Sequence, residues 1–388
     1  MIILILSGIA KGQGANVTVE TLSDFPVLSK QSIIANFRTV NDKVYCFGGA
    51  TENSGFTNDF YDEIRVYDLI TGTWSELPIT MPYEIGMAST ASFYNDHFYV
   101  PPSFATGNSN GWGSHNSIID VDLLGGTATE VVEHPASNNI WGVNSYQIGD
   151  KIYYFGGHTG SDKTEIVEYD VTSNTVTQVA NMSETRTMVL LHQGNDGWIY
   201  IINDGSTIER FDPTSYVVET MSADGNGILG ENYFYNNSWH IPEENAIYFF
   251  RQVAVGDSSV VFKYDYVNDS LEDTGISLPG SYTNIFSIMD ENDPHVIYSF
   301  KRHDTIENTV TLCKLTLGES EEPPLGNITL SSGVLNGASV SVSDPMIEIE
   351  RGSVITGTIN IHVVNEGPTG SVFPVAATTS WGDHGTSY

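Results

Sequence analysis

Aromatic and histidine side chains stand in two stretches of this 388-residue chain that are rich in glycine, serine and asparagine. The first stretch, Pro102–Asn116, carries Phe104, Trp112 and His115, and the second, His134–Val143, carries Trp141. An indole in such a stretch offers a flat apolar face beside hydrogen-bonding amides, which suits a sugar ring or a peptide side chain. The alternative is that Trp112 and Trp141 pack inside the fold, as large aromatic residues commonly do.

Arg186 is a candidate for binding a carboxylate, because basic residues are scarce in this chain. The sequence has 15 Lys and Arg against 48 Asp and Glu, a net charge of −33. A guanidinium can bind a carboxylate through two parallel hydrogen bonds. The competing interpretation is that Arg186 forms ion pairs with the many acids. The same negative charge opposes binding to nucleic acid or to an anionic membrane surface.

Short catalytic motifs are absent from the sequence. It has no P-loop, no dinucleotide fingerprint, no His-Glu-x-x-His and no Gly-x-Ser-x-Gly. We therefore assign no catalytic residue, although a site can also assemble from distant segments and an enzyme stays an open alternative. Calcium is a further option at the acidic stretches Asn58–Asp62 and Asp290–Asp293. Neither stretch has a defined ligand spacing, so both are interpreted as solvated turns and no cofactor is assigned.

The elements that must position these residues repeat about every 50 residues. A short apolar strand ending in Val44-Tyr45 recurs at Phe98-Tyr99, Ile152-Tyr153, Ile199-Tyr200, Ile247-Tyr248 and Ile297-Tyr298. A second strand recurs with Tyr67, Val121, Tyr169, Phe211 and Tyr264, followed seven residues later by Trp74, Ala128, Val176, Val218 and Leu271. A fixed step across a turn is what a hairpin of constant register produces. The chain is therefore predicted to be all-β.

The stretch Asp42–Trp74 is the clearest copy. It predicts strands at Lys43–Phe47, Ile64–Leu69 and Thr73–Leu77, the last ended by Pro78. Its Gly48-Gly49, together with Tyr67 and Trp74, resembles the kelch repeat, which forms one blade of a β-propeller. The resemblance implies a six-bladed kelch-type propeller over residues 16–318.

The sixth copy lacks an outer strand, whereas Val17–Leu22 precedes the first copy without a blade of its own. Pairing Val17–Leu22 with the strand predicted at Thr309–Leu317 would close the ring and remove two exposed sheet edges. Residues 319–324 form a linker, and residues 325–388 resemble a small immunoglobulin-like β-sandwich, which is short for such a module. Residues 1–15 include a short apolar run, interpreted as a truncated signal peptide.

In kelch propellers, loops that join the second and third strands and loops that join successive blades gather on one face. By this resemblance, one face would hold the candidate ligand-binding residues Phe104, Trp112, His115, Trp141, His158 and Arg186. The primary interpretation is a secreted or cell-surface protein that binds a glycan or a protein through this loop face. Candidate glycosylation sites, which support export, are Asn16, Asn181, Asn236, Asn268 and Asn327.

Two alternatives follow from the same resemblance. The chain is similar to sialic-acid mutarotases and copper galactose oxidases, which would make it a sugar-active enzyme that uses the central channel. A galactose-oxidase site would need Cys46 with histidines such as His115 and His158, but no copper-ligand motif surrounds them. We instead expect Cys46 and Cys313 to be two buried thiols. The second alternative is a structural surface-layer component that self-associates through the C-terminal domain.

Overall fold

A computed structural model describes most of the chain between Asn16 and Gly318 and short strands beyond it. The described residues are 16–26, 32–33, 37–52, 58–86, 90–105, 113–135, 140–159, 161–202, 206–223, 225, 238–252, 259–278, 287–302, 310–318, 328–329, 333–335, 338–342, 346–347, 361–364, 378–381 and 384–387. By its contacts the chain divides into two compact units, one spanning Val17–Leu317 and the other including Gly318–Tyr388. Within the described part, no helix is long and apolar enough to cross a membrane.

The unit Val17–Leu317 is a six-bladed β-propeller built from antiparallel sheets. From the channel outward, the strands of blade 1 are Phe37–Val40, Lys43–Glu52, Asn58–Asp68 and Thr73–Gly86. In the same order, the strands of blade 2 are Ser92–Tyr94, His97–Val100, Ser117–Asp122 and Thr127–Glu133. Blade 3 consists of Asn144–Ile148, Lys151–Phe155, Lys163–Asp170 and Thr175–Arg186. Blade 4 consists of Leu190–Gln193, Ile199–Ile202, Glu209–Phe211 and Val218–Thr220. Blade 5 consists of Ser238–Ile241, Ala246–Gln252, Ser259–Asp265 and Ser270–Ser277. Blade 6 consists of Ser287–Met289, Val296–Arg302, Val310–Gly318 and Asn16–Asp24. Ser32–Ile33 also pairs with blade 1, and Pro242–Glu244 is a 3-10 turn.

The seven-residue step in the sequence is a direct cross-strand pair in five blades. Its members lie opposite each other as Tyr67↔Trp74, Val121↔Ala128, Tyr169↔Val176, Phe211↔Val218 and Tyr264↔Leu271. In blade 1 the two ring centroids are 5.1 Å apart. The predicted constant register is therefore confirmed.

The N-terminal strand closes the ring, as predicted. Asn16–Asp24, which contains Val19, lies beside Val310–Gly318 as the outermost strand of blade 6. Just after it, the Phe25 N–H donates to the Val310 carbonyl over 2.8 Å. The Phe25 ring then packs edge-on against Trp74 of blade 1 and Phe300 of blade 6, with centroids 5.0 and 5.9 Å away. The seam between the first and last blades is thus held by both a strand and an aromatic cluster.

Two expectations about loops and strand ends are wrong. The strand predicted to end at Pro78 runs from Thr73 to Gly86. This strand is the fourth of its blade, and its pairing with Asn58–Asp68 shifts register between Tyr61 and Arg65, opposite Pro78. Because Pro78 lies at this irregularity, its lack of an N–H removes no regular hydrogen bond between the two strands. The acidic stretch Asn58–Asp62 is likewise part of a strand, Asn58–Asp68.

The stretch predicted as one long loop, Pro102–Asn116, contains a hairpin of Ser103–Ala105 with Gly113–His115. This hairpin belongs to blade 2 by sequence but joins the sheet of blade 1, since Ile85 pairs with Ala105 and Gly86 with Phe104. The sheet of blade 1 is thereby extended beyond its own strands.

Apolar clusters between neighbouring blades form the core. Phe47 and Phe98 belong to the cluster between blades 1 and 2, and Tyr154 and Val167 belong to the next one. All four side chains have 0 % exposure. Cys46 and Cys313 are buried thiols, as expected. Burial raises the pKa of the Cys46 thiol, which keeps it protonated and inert at neutral pH.

The described strands of the C-terminal unit form two small antiparallel sheets. One contains Met346–Ile347, Ile328–Thr329, Thr378–Trp381 and His384–Ser387, and the other contains Gly333–Leu335, Ala338–Val342 and Ile361–Val364. Thr378–Trp381 pairs antiparallel with His384–Ser387, with Trp381 opposite His384. The immunoglobulin-like sandwich and self-association through it stay predictions.

Candidate functional site

Trp141 and His158 meet on blade 3, and both are sequence-predicted ligand-binding residues. Trp141 lies in the connection that enters blade 3, just before the strand Asn144–Ile148, and His158 follows the strand Lys151–Phe155. The Trp141 N–H donates to the His158 carbonyl over 3.1 Å, and the His158 N–H donates to the Trp141 carbonyl over 2.8 Å. Their ring centroids are 4.8 Å apart at an angle of 47°. The two backbone hydrogen bonds therefore hold these residues side by side.

Asp162 completes this cluster, and the sequence did not single it out. The Nδ1 of His158 lies 2.5 Å from Oδ1 of Asp162, and the two side chains are 30 % and 35 % exposed. Because a carboxylate only accepts, Nδ1–H donates to Asp162, and the other ring nitrogen, Nε2, lies outside this hydrogen bond. No described residue makes a hydrogen bond to that Nε2. The signal in the sequence that could have identified Asp162 is its spacing of four residues from His158 in a loop that contains Gly and Ser.

The turn that carries His158 depends on two glycines. Gly156 and Gly157 have φ of +61° and +105°, which side chains rarely adopt. The Gly157 N–H donates to the Arg186 carbonyl over 2.9 Å, and a Cβ on Gly156 would lie 2.2 Å from that same oxygen. The turn therefore packs directly on the last residue of the outer strand, and no larger residue fits there.

Arg186 lies beneath this turn and is fully buried. Its Nε donates to Glu209 over 3.0 Å, and its Nη2 donates to the Thr207 carbonyl over 2.7 Å. A longer contact of 3.5 Å joins Nη2 to Glu184. The ion-pair interpretation of Arg186 is thus confirmed, and the guanidinium holds the connections of blades 3 and 4 together rather than facing solvent.

The remaining predicted aromatic residues do not join this cluster within the described part of the chain. His115 stacks on Tyr83 of the outer strand of blade 1, with centroids 3.5 Å apart at 15°. Burial lowers the pKa of His115, against an opposing contribution from Glu130. Phe104 lies in the added hairpin, but its side chain and the whole of Trp112 fall outside the described residues.

The other candidate sites have mixed outcomes. Among the glycosylation candidates, Asn16, Asn181 and Asn268 are exposed, and Asn236 and Asn327 lie outside the described residues. In the second acidic stretch, Asp290 accepts hydrogen bonds from two N–H groups of its own turn and from the Tyr298 hydroxyl. Across the described residues, no three His, Cys, Asp or Glu side chains form a group that could hold a metal ion.

Comparison with known proteins agrees with the repeat in the sequence. The family model described as the kelch motif matches residues 35–81, which form most of blade 1. No curated protein matches the chain. Among solved structures, 896 chains match. One of them, the solved structure of YjhT, has 16 % identity and a TM-score of 0.43, with 61 % of this chain and 82 % of that chain covered. A likeness of this size carries no argument about function.

Proposed function

We propose that this protein recognises a glycan or a protein partner through the face of blade 3 that carries Trp141, His158 and Asp162. The observation that carries the proposal is the two-bond bridge between Trp141 and His158. Because this bridge joins the backbones of Trp141 and His158 and their rings pack at 4.8 Å before any ligand arrives, binding needs little reordering of the loop. A rigid scaffold that presents aromatic loop residues is the usual arrangement of a recognition surface.

The chemistry of the cluster suits a ligand with both apolar and hydroxyl surfaces. Trp141 is half-buried, so part of its ring is available for stacking. The Nε2 of His158 lies outside the hydrogen bond to Asp162. A ring that stacks on the indole can form a hydrogen bond to this nitrogen through a hydroxyl group. A sugar meets these requirements, and so does a tyrosine side chain of a protein.

The proposed setting is extracellular or at the cell surface. The support is the short apolar run near the N-terminus and the exposure of the sequon residues Asn16, Asn181 and Asn268. Asn268 is the least suited of these to carry a glycan, because its Nδ2 already donates to Asp265 over 2.7 Å. The intact mass of protein purified from culture medium tests both export and glycosylation, because cleavage of the first residues lowers the mass and attached glycans raise it.

The ligand class is tested by two parallel screens with the purified chain. A glycan array and a peptide display library are each probed with the wild type and with Trp141→Ala. Ligands that bind the wild type but not the Trp141→Ala variant identify the ligand class, and Trp198→Ala serves as a matched control. Trp198 is a half-buried indole beneath Arg210 in the turn between the first two strands of blade 4, on the opposite face. Hits unaffected by Trp141→Ala would place recognition elsewhere.

A further inference from the structure

Arg38 lies at the central channel of the propeller. It belongs to the innermost strand of blade 1, Phe37–Val40, opposite Tyr45. Its charge interacts with Tyr146 of blade 3 and with Glu291 of blade 6. Blades 1 and 3 are separated by blade 2, so a group close to both blade 3 and blade 6 must lie where the innermost strands converge around the axis.

Arg38 has no hydrogen-bond partner among the described residues. Its Nε is shielded from solvent and unpaired, and no described carboxylate lies within ion-pair distance of it. The three other arginines with described side chains each form an ion pair: Arg65 with Glu63, Arg186 with Glu209 and Arg210 with Glu219. Arg38 is therefore the exception in a chain where acids outnumber bases.

The nearest acid does not satisfy Arg38. Glu291 accepts a hydrogen bond from the backbone N–H of Asn41 and makes no ion pair with the guanidinium. Burial accordingly lowers the pKa of Arg38, with Tyr146 and Glu291 opposing this only in part. A shielded Nε–H without a hydrogen-bond partner is costly, and a bound anion that accepts from it is the simplest compensation.

We propose that Arg38 binds a small oxyanion in the central channel, through the planar pairing that a guanidinium offers to carboxylate or phosphate oxygens. Buried polar side chains of the innermost strands already bond to one another, as Ser92 does with Ser145 and His192 with Ser238, so the guanidinium is the group that binds the ion. Because the net charge of −33 repels anions from a distance, this binding depends on local contacts and not on long-range attraction.

Thermal unfolding in the presence of phosphate or formate tests the proposal, with ionic strength held constant by sodium chloride. The wild type is expected to gain Tm in proportion to the logarithm of oxyanion concentration above its Kd, because the ion binds only the folded chain. Arg38→Met should abolish this gain and, without oxyanion, should melt no lower than the wild type, since it removes an uncompensated charge. Comparison of the phosphate and formate series shows which oxyanion the site prefers.

Arg210→Met is the matched control, because it removes the same charge from an exposed pair outside the channel. It should keep the oxyanion-dependent gain in full, which separates a site from the general effect of salt. Equal gains in the wild type and Arg38→Met would overturn the proposal. If Arg38→Met does not fold, the Nε–H resonance of Arg38 in the wild type decides: a saturable shift on phosphate or formate titration supports the site, and an unmoved resonance overturns it.

Discussion

The Nε of Arg186 donates to Oε2 of Glu209 over 3.0 Å, and neither side chain has any exposed area. The same carboxylate accepts the Ser183 N–H through its other oxygen over 2.7 Å. One ion pair thus joins the end of the outer strand of blade 3 to the third strand of blade 4. Above it sits the glycine turn that carries His158, so the pair supports the candidate recognition surface from below.

Removal of either member of this pair should destabilise the propeller strongly. Arg186→Met or Glu209→Gln leaves its partner buried and unmatched, which costs about 3–5 kcal/mol. Arg210→Met, which breaks an exposed pair with Glu219, should cost about 0–1 kcal/mol. Urea unfolding measures all three. A loss for Arg186→Met as small as that for Arg210→Met would contradict the role assigned to the buried pair.

Acid should destabilise the propeller well above the range where its carboxylates titrate. Burial lowers the pKa of His192 to about 3 and of His134 to about 4, so both are neutral in the folded chain. Unfolded histidines take up protons near pH 6.5, so stability is full above that value and falls as the pH drops. Each histidine contributes a loss of about 2 kcal/mol by pH 5.

His192→Gln tests this account, because glutamine can still reach the Ser238 hydroxyl that His192 contacts at 2.7 Å. Its free energy of unfolding should fall less steeply between pH 7 and pH 5 than that of the wild type. Identical slopes would show that His192 does not contribute to the acid sensitivity.

Two glycines with nearly the same backbone conformation should respond very differently to alanine. Gly156 has φ of +61° and Gly126 has φ of +68°. A Cβ on Gly126 meets nothing within 4 Å, whereas one on Gly156 meets the Arg186 carbonyl at 2.2 Å. Gly126→Ala should cost about 1–2 kcal/mol for the backbone alone, and Gly156→Ala about 3 kcal/mol or more. Equal costs in chemical unfolding would mean that the turn relaxes freely.

Loss of the N-terminal strand should open the ring. A chain that starts at Asn16 should keep the thermal stability of the full chain, since the described closure begins there. A chain that starts at Phe25 exposes the edge of Val310–Gly318, which should lower Tm and promote association between copies through that edge. Light scattering and calorimetry together measure both effects. A monomer that starts at Phe25 with an unchanged Tm would contradict closure.

The repeat register and the ring closure were predictable from sequence because they follow from local periodicity. Tyr67 and Trp74 are seven residues apart across a short turn, and this spacing alone places them opposite each other. The sixth copy likewise lacked an outer strand, and Val17–Leu22, which had no blade of its own, supplied it. Such features depend on alternation and turn chemistry, which a single sequence displays.

The features that sequence missed depend on contacts between segments that are distant in the chain. The hairpin of Ser103–Ala105 with Gly113–His115 joins blade 1 because the edge near Ile85 is available there, which no local pattern reveals. Asp162 matters only because the loop folds its carboxylate onto His158. Arg186 pairs with Glu209, whereas Arg38 forms no ion pair with a described carboxylate, and only the folded structure shows this difference.

The dissociation constant of the ligand found by screening, measured by calorimetry for Trp141→Ala against Trp198→Ala, tests the central claim most directly. If Trp141 is the contact platform, its truncation should cost about 2 kcal/mol or more, which raises Kd about thirtyfold. Trp198→Ala should leave Kd within about twofold of the wild type. An unchanged Kd for a folded Trp141→Ala variant would contradict recognition through this face of blade 3.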